Sequence, residues 1–374
     1  MNSGHTSHYQ FDPNSLSVLA GGVSVLDQPK LHIHSPQEAD DFLKSYGFDL
    51  SRNEDQKRLW YFHRRAVVLL TEKLKFNTAD IPEKVRDPDK LIDLRNLLIW
   101  ASQINDTSLQ KWSCALLRCL HVFIHSETDL FSFYAEEIQK QILIPFENSI
   151  IQQEELYLRS FKKEGHSQIK LVLFQSKPFK TSSSTVIKLL AKPDAVAMKV
   201  FDKVGVRFVT HSIFDAFQVL RFLVEENLIS FPHIMPDQSS NNMYPVKEFL
   251  EICEKLEKKH GPLHKLDSEK IDRLLKKQLE ISSSGFLNFF RKENSFSALD
   301  FKYIKFITRK LIRIQIPNAA EFSFFYPFEV QILNKESFEK MQSGDSKHDA
   351  YKNRQIDAAR ERIFPKQTQK VAIK

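Results

Sequence analysis

Two acidic residues stand in stretches that otherwise predict buried β-strands. Asp202 comes just before an apolar, β-branched run at residues 204–209. Glu329 lies within residues 326–334, where apolar and polar side chains alternate with the period of a strand. Together the two carboxylates can hold a divalent cation, and a nucleotide phosphate can complete its coordination shell. The alternative for Asp202 is a plain strand-entry turn, in which Asp and Gly are common.

Three short motifs surround these acids and follow them along the chain. They read Asp202-Lys-Val-Gly205-Val-Arg207, Glu329-Val-Gln331-Ile332 and His348-Asp-Ala-Tyr351-Lys352. In residue type, order and approximate spacing they resemble the motifs of the synthetase domain of RelA/SpoT-like nucleotidyltransferases, the alarmone synthetases. The resemblance covers residues 168–362, about half of the chain.

The resemblance implies an enzyme that transfers pyrophosphate from ATP to the 3′-hydroxyl of a guanine nucleotide. ATP and a nucleotide acceptor are then the partners, and Mg²⁺ is the cofactor, held by Asp202 and Glu329. Glu329 can also accept the hydroxyl proton, so the same two acids are the candidate catalytic residues. The residues that the resemblance assigns to substrate binding are Lys180, Lys188, Arg207, Phe301, Lys305, Gln331, His348 and Lys352. Lys180 and Lys188 have the alternative of being solvated lysines on a loop and a helix.

The chain departs from the family pattern where the acceptor binds. The family's Tyr-x-Ser-x-His element becomes Phe301-Lys-Tyr-Ile-Lys305. Phe301 can still stack on a base, because stacking requires only a π-face, and Lys305 can replace the His as a phosphate donor. A family Arg is replaced at or near Pro178, where the neighbouring Lys177 can substitute only as a point charge. The alternative for residues 301–305 is a plain strand.

Two other functions therefore stay open beside the alarmone synthetase. One is a related nucleotidyltransferase that acts on RNA or an adenine nucleotide, which the altered acceptor strand and the basic charge balance favour. The other is a catalytically degenerate regulator that binds a nucleotide or RNA. Retention of both Asp202 and Glu329 argues against loss of catalysis.

The composition and net charge of the chain narrow the possible classes of protein further. The 374 residues carry a formal net charge of +7, which permits phosphate-rich ligands or RNA without demanding them. With only 9 glycines the chain has no glycine-rich phosphate loop, which argues against a Walker-type or Rossmann site. Its three cysteines form no Cys-x-x-Cys pair, as suits a reduced cytoplasm. We expect no signal peptide, and no membrane span, because no apolar stretch approaches about 20 residues.

The first half predicts helices. Residues 1–34 predict an irregular lead, and residues 35–161 an all-helical region of four to six helices that begins with Ser35 as N-cap. His121 and His125 lie one helical turn apart, which suits structural histidines, a metal pair or an RNA or nucleotide contact. The region has no His-Asp dipeptide, so the hydrolase half found in longer members of the family is not expected.

The second half predicts a sheet. We expect a strand at 169–175, a serine-capped helix at 186–190 and a polar loop at 237–242. A charged helical pair at 246–279 is broken at Gly261, and two long strands at 301–316 and 326–333 form an antiparallel pair. The predicted fold class is α+β, an all-helical N-terminal region followed by a mixed β-sheet nucleotidyltransferase-like domain with flanking helices at 168–362. Residues 363–374 predict a basic tail.

Overall fold

The computed structural model describes residues 18, 20–28, 30–103, 107–127, 133–160, 168–179, 182–192, 203–263, 266–282, 302–317, 320–342 and 348–364. Within them the α+β fold is confirmed, with a helical N-terminal region followed by a seven-stranded mixed sheet. None of the helices in this part of the chain combines the length and the apolar character that crossing a bilayer requires.

The chain divides into two compact units. The helical unit comprises Met1–Thr128, Ser182–Ala197 and Gln355–Lys374, and the sheet unit comprises Asp129–Thr181 and Met198–Arg354.

The helices and strands are listed here in chain order. The helices are α1 (Pro36–Tyr46), α2 (Asn53–Val68), α3 (Glu83–Arg86), α4 (Pro88–Leu91), α5 (Arg95–Ala101), α6 (Ser108–Glu127), α7 (Ala135–Glu147), α8 (Ser182–Ala191), α9 (Ile213–Glu225), α10 (Val246–His260), α11 (Ser268–Ser282), α12 (Lys335–Gln342) and α13 (His348–Ile363). The strands are β1 (Ile150–Gln152), β2 (Leu156–Leu158), β3 (Ile169–Lys177), β4 (Gly205–Thr210), β5 (Met235–Asn241), β6 (Ile304–Ile314) and β7 (Phe322–Asn334).

Helix α1 begins as the sequence predicts. The Ser35 hydroxyl accepts a hydrogen bond from the backbone N–H of Glu38 at 3.2 Å. The Glu38 carboxylate in turn accepts from the backbone N–H of His34 at 2.8 Å. Two N–H groups that have no partner inside the helix are thereby satisfied. The helix ends at Gly47, whose φ of 110° favours glycine.

Helix α6 is the centre of the helical unit. Its side chains Ala115, Leu116, Cys119 and Phe123 are fully buried, and it packs against α2, α5 and α8. Two neighbouring turns of α6 therefore face core on nearly every side, which explains why its apolar positions exceed one narrow stripe.

The His121 and His125 pair lies on the same helix, beside α1. The Tyr46 hydroxyl and His121 Nδ1 are hydrogen-bonded at 2.7 Å, and the two imidazole centroids are 4.3 Å apart. Burial, assisted by His125, lowers the pKa of His121 to about 4. Of the three readings of this pair, the geometry supports the structural one, because His121 has a buried phenol as its partner.

The sheet of the sheet unit has the strand order β1-β2-β3-β4-β7-β6-β5. The β4–β7 pair is parallel and the other pairs are antiparallel. One face carries the main core, where Phe208 and Phe328 pack against Phe146 of α7. The opposite face carries a smaller apolar cluster built from Val209, Tyr303 and Leu333.

Two expectations about the sheet unit were wrong. The polar loop predicted at 237–242 falls largely within strand β5. Among the described strands, β5 is an edge strand that pairs with β6, with a register shift between Met235 and Ser240. Asp237 faces solvent, whereas Ser240 and Asn241 are buried, so the strand has no alternation of apolar and polar residues from which it could be predicted. The predicted helical region also ended too late, because α7 stops at Glu147 and a short β1–β2 hairpin follows.

Three other expectations for this half are confirmed. The strand predicted at 169–175 is β3, and the charged helical pair is α10 and α11, separated at Gly261. The two long strands pair in antiparallel register over the full length of β6.

Candidate functional site

The first two sequence motifs lie on the neighbouring parallel strands β4 and β7. Their register places Gly205 opposite Glu329 and Arg207 opposite Gln331. The backbone N–H of Glu329 donates to the Val204 carbonyl at 2.9 Å. A Cβ built on Gly205 would lie 2.6 Å from the Glu329 carbonyl oxygen, so a residue with a side chain does not fit without movement of the backbone. Because β4 and β7 are aligned in this register, the spacing from Gly205 to Arg207 in the first motif equals the spacing from Glu329 to Gln331 in the second.

A row of polar side chains crosses four adjacent strands at this point. Gln175 of β3 lies opposite Arg207, which lies opposite Gln331, which lies opposite Lys305 of β6. Side chains directly opposite each other in a sheet share a face. Arg207 Nε donates to Gln331 Oε1 at 2.8 Å, and Arg207 Nη1 donates to Gln175 Oε1 at 3.3 Å.

The carboxylate of Glu329 lies one step along the same face and is held by two lysines. Lys177 Nζ donates to Glu329 Oε1 and to Gln331 Oε1, each at 2.9 Å. Lys305 Nζ lies 3.9 Å from Glu329 Oε2. Glu329 is only 8% exposed, and burial of a carboxylate is costly unless cations or donors accompany it. We call these six residues the polar cluster: Gln175, Lys177, Arg207, Lys305, Glu329 and Gln331.

The polar cluster has an excess of positive charge. Lys177, Arg207 and Lys305 supply three cationic groups around the single carboxylate of Glu329. Burial lowers the pKa of the Arg207 guanidinium, and the charge of Glu329 acts in the opposite direction. Since three cations face one anion among the described side chains of the cluster, the cluster is suited to an additional anionic group such as a phosphate.

Four of the sequence-predicted site residues thus meet in space: Arg207, Lys305, Glu329 and Gln331. Lys177 had been considered only as a substitute for a missing Arg, yet it joins Glu329 to Gln331. The sequence does contain a signal for Lys177. Gln175 and Lys177 are two residues apart on β3, so they lie on one face of the sheet, which is also the face of Arg207.

The remaining predicted residues are not brought to the cluster by the described structure. Asp202, Lys180 and Phe301 lie outside the described residues. Lys188 belongs to α8 of the helical unit. His348 is the first residue of α13, and Lys352 is an exposed residue of the same helix.

The described side chains provide some of the oxygen ligands that a magnesium site requires. Among the described residues, no group of three or more His, Cys, Asp and Glu side chains is arranged to hold a metal ion. Mg²⁺ at phosphate sites is often bound through one or two carboxylates, with substrate phosphates and water completing the octahedron. Glu329 supplies one such carboxylate, and Gln331 supplies a neighbouring carboxamide oxygen. The predicted second carboxylate, Asp202, lies outside the described residues.

Compared with protein-family models and with curated proteins, the chain gives no match. Function is therefore inferred from the geometry and chemistry of the polar cluster.

Proposed function

We propose that the sheet unit is a RelA/SpoT-like nucleotide pyrophosphokinase that transfers pyrophosphate from ATP to the 3′-hydroxyl of a guanine nucleotide. The observation that carries the proposal is the β4–β7 register, which sets Arg207 against Gln331 across 124 residues of sequence. Two motifs that resemble one family's motifs are thereby adjacent, and Lys177 contacts Glu329 and Gln331 of the second motif. A chance match of short motifs has no reason to produce this adjacency.

The cluster contains the groups that this transfer requires. The acceptor hydroxyl attacks the β-phosphorus of ATP, the bond from that phosphorus to the bridging oxygen on the α-phosphate breaks, and AMP leaves. Lys177, Arg207 and Lys305 hold the phosphate oxygens, and Glu329 accepts the hydroxyl proton. When bound, Mg²⁺ would neutralise charge on the phosphates, with Glu329 as its candidate ligand in the described residues.

A second candidate function is a regulator that binds a nucleotide without transferring it. The Lys177–Glu329 ion pair favours this candidate, because a carboxylate already paired at 2.9 Å can serve packing alone. The two candidates make opposite predictions for the fate of ATP, and a single assay separates them.

The test is incubation of the full chain with γ-labelled ATP, Mg²⁺ and one acceptor at a time: GDP, GTP, AMP or total tRNA. A labelled guanosine product supports the proposal, because the transferred pyrophosphate keeps the γ-phosphorus. If the label instead appears on AMP or on tRNA, the chain transfers pyrophosphate but its acceptor is AMP or tRNA and not a guanine nucleotide. Binding of ATP with no labelled product from any acceptor would favour the regulator.

A further inference from the structure

The sheet face that carries Glu329 continues along β7 as an exposed surface. Strand alternation places Pro327, Phe325 and Ser323 on the same face as Glu329. Leu311 of β6 lies opposite Phe325, and the two side chains are 36% and 47% exposed, respectively. An aromatic ring and a leucine are thus presented to solvent on the face that also carries the polar cluster.

Polar and aromatic groups surround the Phe325 ring. The guanidinium carbon of Arg309 lies 5.7 Å from the ring centroid. The His233 imidazole meets the ring edge-on, with the centroids 4.9 Å apart. Phe231, in the same short 3-10 helix as His233, is 71% exposed. We call Phe231, His233, Arg309, Leu311 and Phe325 the aromatic surface.

The neighbouring strand supplies a line of positive charge. Lys305, Arg309 and Arg313 follow one another at four-residue intervals on the same face of β6. Arg313 pairs with Glu321 at 2.8 Å, and Lys305 lies 3.9 Å from Glu329 at the other end. Cations at regular intervals beside exposed aromatic rings complement a polyanion whose units carry flat bases.

We propose that the aromatic surface binds single-stranded nucleic acid, with one end at Glu329 and a base stacked on Phe325. The inference rests on the proposed function and deepens it, because the nucleotide that presents its 3′-hydroxyl at Glu329 would be the end of a polynucleotide. Glu329 lies four residues along the strand from Phe325, which is about 14 Å at ~3.4 Å per residue. Stacked nucleotides advance about 3.4 Å each along a strand. A base at Phe325 therefore lies several nucleotides from a hydroxyl at Glu329, a span that an oligonucleotide covers and a mononucleotide does not.

The primary test measures binding without ATP or Mg²⁺. The full chain is titrated into a labelled single-stranded RNA of about 12 nucleotides, and the dissociation constant is read from fluorescence anisotropy. We expect Phe325→Ala to weaken binding about fivefold to a hundredfold, the effect of losing one base–aromatic contact. Phe325→Trp keeps a π-face and should keep the affinity. Phe133→Ala is the matched control, because Phe133 is 83% exposed and precedes α7, which packs on the other face.

Salt dependence provides a second readout. Each phosphate contact in a single strand contributes about −0.7 to the slope of log K against log salt. Arg309→Gln should therefore reduce the magnitude of that slope by about 0.7 as well as weaken binding. This variant keeps the inference testable even if Phe325→Ala were to disturb the fold. Wild-type affinity and slope in both variants would overturn the inference.

Competitors identify the ligand class. Unlabelled single strands of RNA and DNA are each expected to displace the probe, whereas GTP and an RNA duplex are not. Displacement by GTP at a Phe325-dependent site would assign the aromatic surface to a mononucleotide and overturn the polynucleotide acceptor.

Failure of the inference and failure of the proposed function are distinguishable. Phe325-dependent RNA binding with no labelled product from any acceptor would leave the inference standing and remove the transferase. Transfer of label to GDP, with RNA binding unaffected by Phe325→Ala and Arg309→Gln, would support the transferase and overturn the inference.

Discussion

Two arginines of the helical unit and the cations of the polar cluster in the sheet unit have different kinds of hydrogen-bond partner. In the helical unit, Arg118 donates to the carbonyls of Gln28 and Ile363 at 2.7 and 2.6 Å. Arg362 donates to three carbonyls at the end of α8, at 3.1–3.2 Å, and pairs with Asp27. A guanidinium group that donates to several main-chain carbonyls holds the backbone there in place. At the end of a helix it also satisfies carbonyls that the helix leaves unpaired.

In the polar cluster the cations meet side-chain oxygens instead. Arg207 and Lys177 share the Gln331 carboxamide, and Lys177 also contacts Glu329. Side chains can change partners at lower cost than a helix end can, so a phosphate can replace Gln331 or Glu329 beside these cations. The contrast gives Arg118 and Arg362 a structural role, and it supports the proposal that the cations of the polar cluster bind a phosphate.

The largest expected effect is on transfer by Glu329→Gln. The change keeps the size of the side chain and removes the charge that would accept the hydroxyl proton. We expect labelled-phosphate transfer to fall about a hundredfold or more, while the melting temperature of the same preparation stays close to that of the wild type. Glu336→Gln is the control, because Glu336 forms an exposed pair with Lys340 on α12. Full activity in a folded Glu329→Gln protein would reduce Glu329 to a packing residue and remove most support for this enzyme class.

Gly205→Ala should come next, through stability. The added methyl would lie 2.6 Å from the Glu329 carbonyl oxygen, so β4 and β7 must separate or shift. We expect a loss of about 3 kcal/mol of unfolding free energy, near the upper end for overpacking a core. Calorimetry of the full chain measures it. Gly47→Ala is the comparison, because its φ of 110° is strained but nothing lies within 4 Å of the new methyl. Equal losses in the two variants would contradict the close approach at Gly205.

Much of the fold could be predicted from the sequence because local signals were strong. Ser35 with Pro36 marked a helix start, and the β6 and β7 patterns were long enough to identify both strands. Strand β5 was missed because an edge strand with polar side chains has no burial pattern to read.

The candidate site was predictable only in part. Arg207, Glu329 and Gln331 were found because they sit in motifs. Lys177 was undervalued because its importance depends on which strands are neighbours, and the parallel β4–β7 pair is not apparent from either strand alone. Register between distant strands is a property of the whole sheet, and a single sequence does not encode it locally.

Arg362→Gln tests the structural side of the comparison. The Arg362 side chain is 9% exposed, and its loss leaves the carbonyls of Leu189, Leu190 and Lys192 without that donor. We expect a loss of about 2 kcal/mol of unfolding free energy with unchanged transfer activity. Chemical denaturation followed by tryptophan fluorescence is selective, because Trp60, Trp100 and Trp112 are the three tryptophans of the chain and all lie in the helical unit.

Arg362→Lys refines this test. An ammonium keeps the charge beside Asp27 but lacks the planar fork that reaches several carbonyls. If the carbonyl contacts matter more than the ion pair, the Lys variant should resemble Gln. A Lys variant as stable as the wild type would assign the effect to the Asp27 pair instead.

The smallest expected effect is a pH dependence carried by His121. Its folded pKa of about 4 lies below the usual value of 6.5, because burial and His125 disfavour the charged ring. As the pH falls below 6.5, the unfolded chain takes up the proton first, so the stabilising contribution is complete above that pH and is lost toward pH 4. Between pH 7 and 5.5 the helical unit should lose about 1 kcal/mol through this group. Denaturation followed by tryptophan fluorescence measures the loss, and His121→Gln should flatten the pH profile while costing the hydrogen bond to Tyr46 at every pH. If the pH profile of that variant is as steep as that of the wild type, the pH dependence comes from other groups. Transfer activity per folded molecule should not follow this titration, because the proposed chemistry belongs to the sheet unit.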